Sequence, residues 1–364
     1  MFNKAYEGKR VLVTGHTGFK GSWLATWLLN LGAEVAGFAS DIPTSPSNFE
    51  VLGLGKRLDH RVGDVRDRAA FQSVLARVKP DVVFHLAAQA LVQTSYRQPA
   101  TTFETNTLGT MNVLESLRMD DNVKAAVIIT SDKCYQNAEW TWGYRENDHL
   151  GGDDPYSASK GAAEIVARAY YHSFFRKSGP AMVTTRAGNV VGGGDWALDR
   201  IIPDTIRAWS EDRPVQIRNP HSTRPWQHVL EPLSGYLHVG AKLLEGEETM
   251  NGEAFNFGPD SKVNQTVEDV VNELRKHWPD ADLEIDTKAR KVKKEQSLLK
   301  LSCDKALNLL DWHATLDFEE TIRFTGLWYK SYYDKQESSM YDFTQGQLGE
   351  YISLAGSRGL SWTK

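Results

Sequence analysis

Arg10-Val-Leu-Val-Thr14 runs without a break into Gly15-His-Thr-Gly18-Phe-Lys-Gly21, and Ser22 to Leu31 follow with Leu24, Leu28 and Leu31 at helical spacing. A short apolar run, a glycine turn and a helix-periodic run read as strand, tight turn and helix. Gly32 stops that helix, and Glu34-Val-Ala-Gly-Phe38 reads as the next strand. The alternation continues. Asp81-Val-Val-Phe-His-Leu86, Lys124-Ala-Ala-Val-Ile-Ile-Thr130 and Ala181-Met-Val-Thr-Thr-Arg186 are apolar strands with helical stretches between them. Such a pattern builds parallel βαβ units, so the fold class expected is α/β with a doubly wound parallel sheet.

That pattern occupies residues 1–188. Beyond Asn189 it loosens into stretches rich in Pro, Trp and Arg, expected to form a smaller, partly discontinuous lobe over 189–330. Ala254-Phe-Asn-Phe257 reads as a return to the first sheet (254–258), and 331–364 as a C-terminal extension with no function of its own in view. With 364 residues, two lobes and a sizeable core are affordable in area. A net charge of −5 and a pI near 6.1 give no footprint for nucleic acid or a membrane surface. Cys134 and Cys303 are the two cysteines, which suits a reducing cytoplasm rather than a disulfide framework. No signal peptide and no membrane-length apolar run is visible.

Gly15, Gly18 and Gly21 stand three apart directly after a strand and directly before a helix. Glycines let the backbone approach a pyrophosphate, whose charge suits a helix N-terminus; a plain loop turn is the bland alternative. The spacing is GxxGxxG rather than GxGxxG. Asp41, twenty residues past Gly21, is placed to bind an adenosine ribose, or it simply opens the Pro- and Ser-rich loop Asp41 to Asn48. No arginine sits beside it, which favours NAD over NADP. Asp64, in Gly63-Asp-Val-Arg66, either meets adenine or caps a helix.

Tyr156-Ser-Ala-Ser-Lys160 follows Asp154 and Pro155, a helix cap and a first-turn proline. Tyr156 and Lys160 then share a helix face, where an ammonium lowers a phenol's pKa and readies it to accept a proton; a surface pair is the alternative. Thr130-Ser-Asp-Lys-Cys-Tyr135 sits at a strand's carboxyl end, where open α/β sheets bind ligands, so Ser131, Asp132 and Lys133 form a hydroxyl, carboxylate and ammonium trio unless they are a solvated turn.

TGHTGFKG (14–21), HLAAQ (85–89), TSDK (130–133) and YSASK (156–160), in this order, resemble the extended short-chain dehydrogenase/reductase family. Arg186-Ala-Gly-Asn-Val190, Arg224-Pro-Trp-Gln-His-Val-Leu-Glu231, and Leu301-Ser-Cys-Asp-Lys-Ala306 followed by Leu310-Asp-Trp312 fit its nucleotide-sugar branch. The resemblance implies a Rossmann-type fold and an NAD-dependent hydro-lyase. TSDK and RPWQHVLE are most similar to dehydratases of CDP-glucose, whose product is CDP-4-keto-6-deoxy-D-glucose. It implies cofactor contacts at Gly15, Thr17, Gly18, Phe19, Gly21, Asp41, Asp64, Val65, Leu86, Ala87, Ala88, Tyr156 and Lys160. Substrate contacts are implied at Gln89, Asn189, Arg200 and Arg224. Gln89 has a helix-cap alternative and Arg200 a surface-pair alternative. No metal is called for. Thr105 and Asn106 come near the cofactor by the same analogy, while Trp196, Trp209 and Trp226 read as core.

In the implied reaction Tyr156 takes the proton of the sugar 4-hydroxyl while hydride leaves C4 for NAD. Lys160 holds the nicotinamide ribose, and Ser131 bonds the 4-oxygen. Asp132 is the acid for the departing 6-hydroxyl, Lys133 is the C5 base, and hydride returns to C6. Better-known dTDP-glucose dehydratases carry Asp-Glu where this chain has Asp132-Lys133. A lysine base requires a neutral amine; alternatively Lys133 stays charged and stabilises the enolate. A nucleotide-sugar 4-epimerase needs neither a C5 base nor a 6-hydroxyl acid, so Asp132-Lys133 speaks against it. Dehydration of a dTDP- or GDP-sugar differs in base choice, and a non-catalytic nicotinamide-binding regulator would not need the intact Tyr–Lys pair. Apolar residues around the helices near Pro99–Arg118 and after Pro155 (Phe103, Leu108, Met111, Val113, Leu114, Ile165, Val166, Tyr170, Phe174), with the family's habit of pairing these helices, lead to an expected homodimer or dimer of dimers. The family role is deoxy-sugar synthesis for lipopolysaccharide O-antigens.

Overall fold

The computed structural model describes residues 1–364 other than 218, 261, 279–280, 282, 286–298 and 336–338. Its centre is a seven-stranded parallel sheet of β1 (Arg10–Thr14), β2 (Glu34–Ala39), β3 (Asp59–Val62), β4 (Val82–His85), β5 (Ala125–Ile129), β6 (Ala181–Arg186) and the strand Ala254–Asn256. From one edge the order is Ala254–Asn256, β6, β5, β4, β1, β2, β3. The chain therefore winds outward in both directions from β1 and β4, which pair in register at Thr14 and His85. Ligands bind in doubly wound sheets at the carboxyl ends of that central pair.

Side chains alternate faces along each strand. Val11, Val13, Val82, Phe84, Ala125 and Val127 enter one buried cluster, whereas Leu12, Val83, Ala126 and Ile128 enter the cluster on the opposite face. Both faces are covered, as a parallel sheet requires. Helix Phe19–Asn30 brings Trp23, Leu24, Trp27 and Leu28 to the first face. Helices Arg68–Val78 and Gly109–Arg118 bring Phe71, Leu75, Val113 and Leu114 to the other.

The chain beyond Asn189 is not one separate block. Helix Leu230–Leu244 is buried along nearly its whole length in the first cluster, and Ala254–Asn256 extends the sheet beside β6. Around these lie short pairings, Val190–Val191 with Gln227–His228 and Thr223–Arg224 with Gln265–Thr266, which build the second layer over the sheet's carboxyl end. Trp196, Trp209 and Trp226 are buried core.

The tail belongs to the main core. Helix Met340–Ser357 buries Leu348, Tyr351 and Ala355, and Trp362 stacks on Phe2 with ring centroids 5.3 Å apart. Glu231 fastens this region. Its carboxylate accepts from the Thr315 and Leu316 amides at 2.8 and 2.6 Å and from the Tyr351 hydroxyl at 3.0 Å. Burial nonetheless pushes the Glu231 carboxyl up to about 7. A carboxyl whose pKa is raised by folding favours the folded state below its unfolded value, near 4.5, and that contribution is lost as pH rises through about 7. Urea melts of wild type and Glu231→Gln are therefore expected to differ with pH. The wild-type protein loses stability relative to the variant across that window, and parallel curves would exclude a titrating Glu231.

Candidate active site

The glycine turn is forced by what surrounds it. Gly15 has φ +72°, and a Cβ there would lie 2.8 Å from the Ala87 backbone; a Cβ on Gly21 would lie 2.1 Å from the Gly15 carbonyl oxygen. The turn thus packs directly on the end of β4. Thr14 Oγ1 accepts from the Leu86 and Ala87 amides, both at 3.1 Å, and pairs with His85 Nδ1 at 2.8 Å. Gly18 is the N-cap of helix Phe19–Asn30 and supplies no side-chain cap, so that N-terminus keeps its donors for a ligand. Thr17 Oγ1 donates to the Asp41 carbonyl at 2.7 Å, joining the turn to the loop after β2, where the Asp41 carboxylate is exposed. Phe19 lies against Gly192 from the second layer. A pyrophosphate cradle with a carboxylate near the end of the neighbouring strand fits an adenine dinucleotide. Gly21→Ala is expected to weaken NAD binding more than tenfold by pushing the helix off the turn, read by titrating the protein's tryptophan fluorescence; unchanged affinity would mean the turn tolerates the shift.

Asp64 does not cap the following helix. Asp67 does, accepting from the Ala70 amide at 3.1 Å, while the Asp64 carboxylate is forked by Arg66 at 2.9 and 2.6 Å and held below its usual range by that partner. Val65 is buried against Gly109. Leu86, Ala87 and Ala88 are half-buried beyond β4. The Gln89 side chain is hydrogen-bonded within the protein, without capping a helix. Its amide nitrogen donates to the Leu91 carbonyl and Thr102 Oγ1, both at 3.0 Å, and its oxygen accepts from the Leu91 amide at 2.6 Å, so the side chain is engaged inside the protein rather than toward a ligand. Asn106 sits on the π-turn Glu104–Leu108 and ties Gln89 to the YSASK helix through Ser159 Oγ at 2.9 Å; Thr105 is half-buried beside it.

Beyond β5 the chain makes a short 3-10 turn, Asp132–Cys134. Ser131 Oγ accepts from the Lys133 amide at 3.2 Å and donates to Asp132 Oδ1 at 2.9 Å. Helix Pro155–Tyr170 faces this turn, with Asp154 as its cap on the Ser157 amide and Pro155 in its first turn. Ser131, Asp132, Tyr156 and Lys160 are all buried, and Lys133 is half-buried. Burial pushes the Tyr156 phenol up to about 12, against the neighbouring Ser131 hydroxyl and the positive charge of Arg200, both of which lower it. Lys160 is drawn down to about 8 by burial. The lowering expected from Lys160 thus comes from Ser131 and Arg200, and burial outweighs them.

Arg200 pairs with Asp195 at 2.8 Å, yet its charge reaches both Tyr156 and Lys20. Asn189 has φ +51° and lines a cleft with Asp132, Gly188, Gln227, Asp260 and Leu301. Arg224 precedes Pro225 on the rim of that cleft, its guanidinium donating to the Thr223 carbonyl at 2.9 Å. Two features escaped the sequence reading. Lys20, inside the glycine motif, lies 5.9 Å from the Tyr236 ring centroid in the field of Asp132, Arg200 and Lys160, and burial draws it down to about 8. His16 is buried with its Nε2 2.7 Å from His60 Nδ1, and burial draws it down to about 4.

A family model, described as GDP-mannose 4,6 dehydratase, matches residues 12–325. The chain belongs to that family. A CDP-glucose 4,6-dehydratase of Salmonella typhimurium is 46% identical over 354 residues, which is 96% of this chain and 97% of that one. An epimerase structure from Methanothermobacter thermautotrophicus covers 92% of this chain and 96% of its own, at TM-score 0.76 and 25% identity. A dTDP-glucose 4,6-dehydratase of Bacillus anthracis in complex with NAD covers 88% and 96%, at TM-score 0.71 and 21% identity, a likeness of fold. Family members of this kind share the doubly wound sheet, and the glycine turn, the TSDK turn and the YSASK helix converge here at its switch point.

Proposed function

We propose that the protein is an NAD-dependent CDP-D-glucose 4,6-dehydratase. The observation that carries this reading is the convergence of Ser131, Asp132 and Lys133 on the helix of Tyr156 and Lys160, in a chain 46% identical to a CDP-glucose 4,6-dehydratase. Tyr156 takes the proton of the 4-hydroxyl, and Ser131 hydrogen-bonds the same oxygen. Held at the glycine turn and by Lys160, NAD would supply a hydride acceptor for C4 and a hydride donor for C6. The 4-ketone acidifies C5, whose proton Lys133 removes. Asp132 protonates the 6-hydroxyl, which leaves as water. Lys160 holds the nicotinamide ribose; Asp41, Val65 and Leu86 to Ala88 line the adenosine side. Asn189, Arg200 and Arg224 contact the substrate, Arg224 at the diphosphate. A 4-epimerase would have no use for Asp132 and Lys133.

Phe103, Leu108, Ile165 and Phe174 are exposed on two neighbouring helices, while Val113 and Leu114 of the same stretch are buried. That split supports a homodimer through the exposed residues. Among the described residues no helix is long and apolar enough to cross a membrane, and we place the enzyme in the cytoplasm, in deoxy-sugar supply to lipopolysaccharide. Purified protein incubated with CDP-glucose and NAD should form a 4-keto-6-deoxy product by mass and NMR without net reduction of NAD. UDP-glucose, dTDP-glucose and GDP-mannose should give little. Loss of water from none of them, or a change at C4 alone, would remove the dehydratase reading.

A further inference from the structure

Three parts of the site meet at one carboxylate that the reaction above leaves unused. Glu164 lies one turn beyond Lys160 and two beyond Tyr156 on helix Pro155–Tyr170, so the three share a face. It is buried. Its Oε1 accepts from Thr130 Oγ1 and from Arg186 Nε at 2.9 Å; its Oε2 accepts from Thr184 Oγ1 at 2.9 Å and Arg186 Nη2 at 2.8 Å. Thr130 immediately precedes Ser131, Asp132 and Lys133. Arg186 extends the network past that turn, donating through Nη1 to the Tyr135 hydroxyl at 2.7 Å and the Glu146 carbonyl at 2.9 Å. The Tyr135 hydroxyl in turn donates to Asn256 Oδ1 at 2.7 Å. The Ser131–Cys134 turn is therefore held on both sides, at Thr130 and at Tyr135, by one forked ion pair.

A buried ion pair is a poor source of stability compared with well-packed apolar residues, because both charges must be desolvated. Its geometry is a better guide to its use. Four donors fill the Glu164 carboxylate, from Thr130 just past β5 and from Thr184 and Arg186 of β6, the strands that must stay in register with the catalytic helix.

We infer that Glu164 is a positioning residue: its carboxylate fixes the strand end carrying Ser131, Asp132 and Lys133 against the helix of Tyr156 and Lys160. This rests on the reading of Tyr156 and Lys160 as the hydride-transfer pair. Burial draws Lys160 down, and Glu164 is the leading influence that opposes it, with Cys134 second. From the other elements, His85 at the end of β4 and Lys20 at the start of the first helix sense the Lys160 charge. Burial draws His85 down to about 3 and pushes the Cys134 thiol well up, so both are neutral near pH 7, and Lys20 is a like charge that works against Lys160. Glu164 is thus the neighbouring anion that favours the charged form of Lys160.

Three full-length variants test this, each assayed with CDP-glucose and NAD from neutral to alkaline pH, with folding followed by circular dichroism. Glu164→Gln/Arg186→Met removes both charges, so neither is left buried alone. It should lower kcat about tenfold, hold KM within about twofold, and move the alkaline limb of the kcat profile about one pH unit lower. Thr130→Val removes one hydroxyl of the clamp and should lower kcat severalfold with the limb unmoved. Lys160→Met should abolish turnover. An unmoved limb in the double variant, with kcat falling only as the folded fraction falls, overturns the inference while an inactive Lys160→Met leaves the hydride-transfer reading standing. Wild-type kcat in Thr130→Val overturns the clamp even where the double variant fails to fold. An active Lys160→Met removes the reading and the inference together.

Discussion

Tyr156→Phe is expected to lower kcat on CDP-glucose by about 10²- to 10⁴-fold, the range over which a positioned acid–base group acts. KM and thermal stability should change little. The ring keeps its buried place, and the hydroxyl's neighbour Ser131 retains its own bonds to Asp132 and the Lys133 amide. The physical demand on this hydroxyl is steep. Burial holds the phenol near 12, so the phenolate that would accept the sugar's proton depends on neighbours that stabilise its charge. Ser131 and Arg200 are the groups that lower it in the protein itself. Ser131→Ala should therefore fall in the same direction as Tyr156→Phe by a smaller factor. A Tyr156→Phe enzyme with wild-type kcat would take the tyrosine out of the chemistry.

The strands that position this hydroxyl were legible because they are buried on both faces. β5 is an uninterrupted apolar run and β4 is one up to His85, and such runs admit few other readings. Helix Leu230–Leu244 went unread for the complementary reason. It is surrounded on every side, so it carries no polar stripe to set a period, and Pro232 and Gly235 look like breakers although the proline lies in the first turn, where a missing amide costs nothing. The tail was equally opaque. That Trp362 meets Phe2 is a contact between the two ends of the chain, which no local pattern encodes.

The site divides along the same line. Motifs that bend the backbone or cap a helix announced themselves: Gly15 and Gly21, and Asp154 before Pro155. Residues whose role is fixed by a distant partner did not. Asp64 and Asp67 are both acids ahead of one helix; the helix begins at Arg68, so Asp67 caps it, and Asp64 pairs with Arg66 instead. Glu164 reads as an ordinary helical glutamate until Arg186 is seen opposite it, and Lys20 reads as a loop lysine until Asp132 and Lys160 are seen around it.

Gly188→Ala is expected to stop dehydration while sparing oxidation at C4. A Cβ at this position would lie 1.8 Å from Asp132 Oδ2 and 2.0 Å from Asp132 Cγ, a separation no real contact allows. The Gly188 backbone is outside the left-handed region, so alanine is compatible with the main chain and the carboxylate must give way. Asp132 has little freedom to do so: it is buried on a 3-10 turn whose cap, Ser131, also binds its Oδ1 at 2.9 Å. Displacing a catalytic group by about 1 Å costs about 10²-fold, and a rotated carboxylate would lie further than that from the 6-hydroxyl it is proposed to protonate. Tyr156 and Lys160 sit on a different element and keep their places, so the C4 proton and hydride can still leave. Adding CDP-glucose to the variant should therefore raise the absorbance of reduced nicotinamide in a single turnover and leave it high, where the wild-type signal rises and decays as product forms. Dehydration at the wild-type rate would show that Asp132 does not act from the position it holds here, and an absent absorbance rise would show that the clash reaches Ser131 and the tyrosine as well.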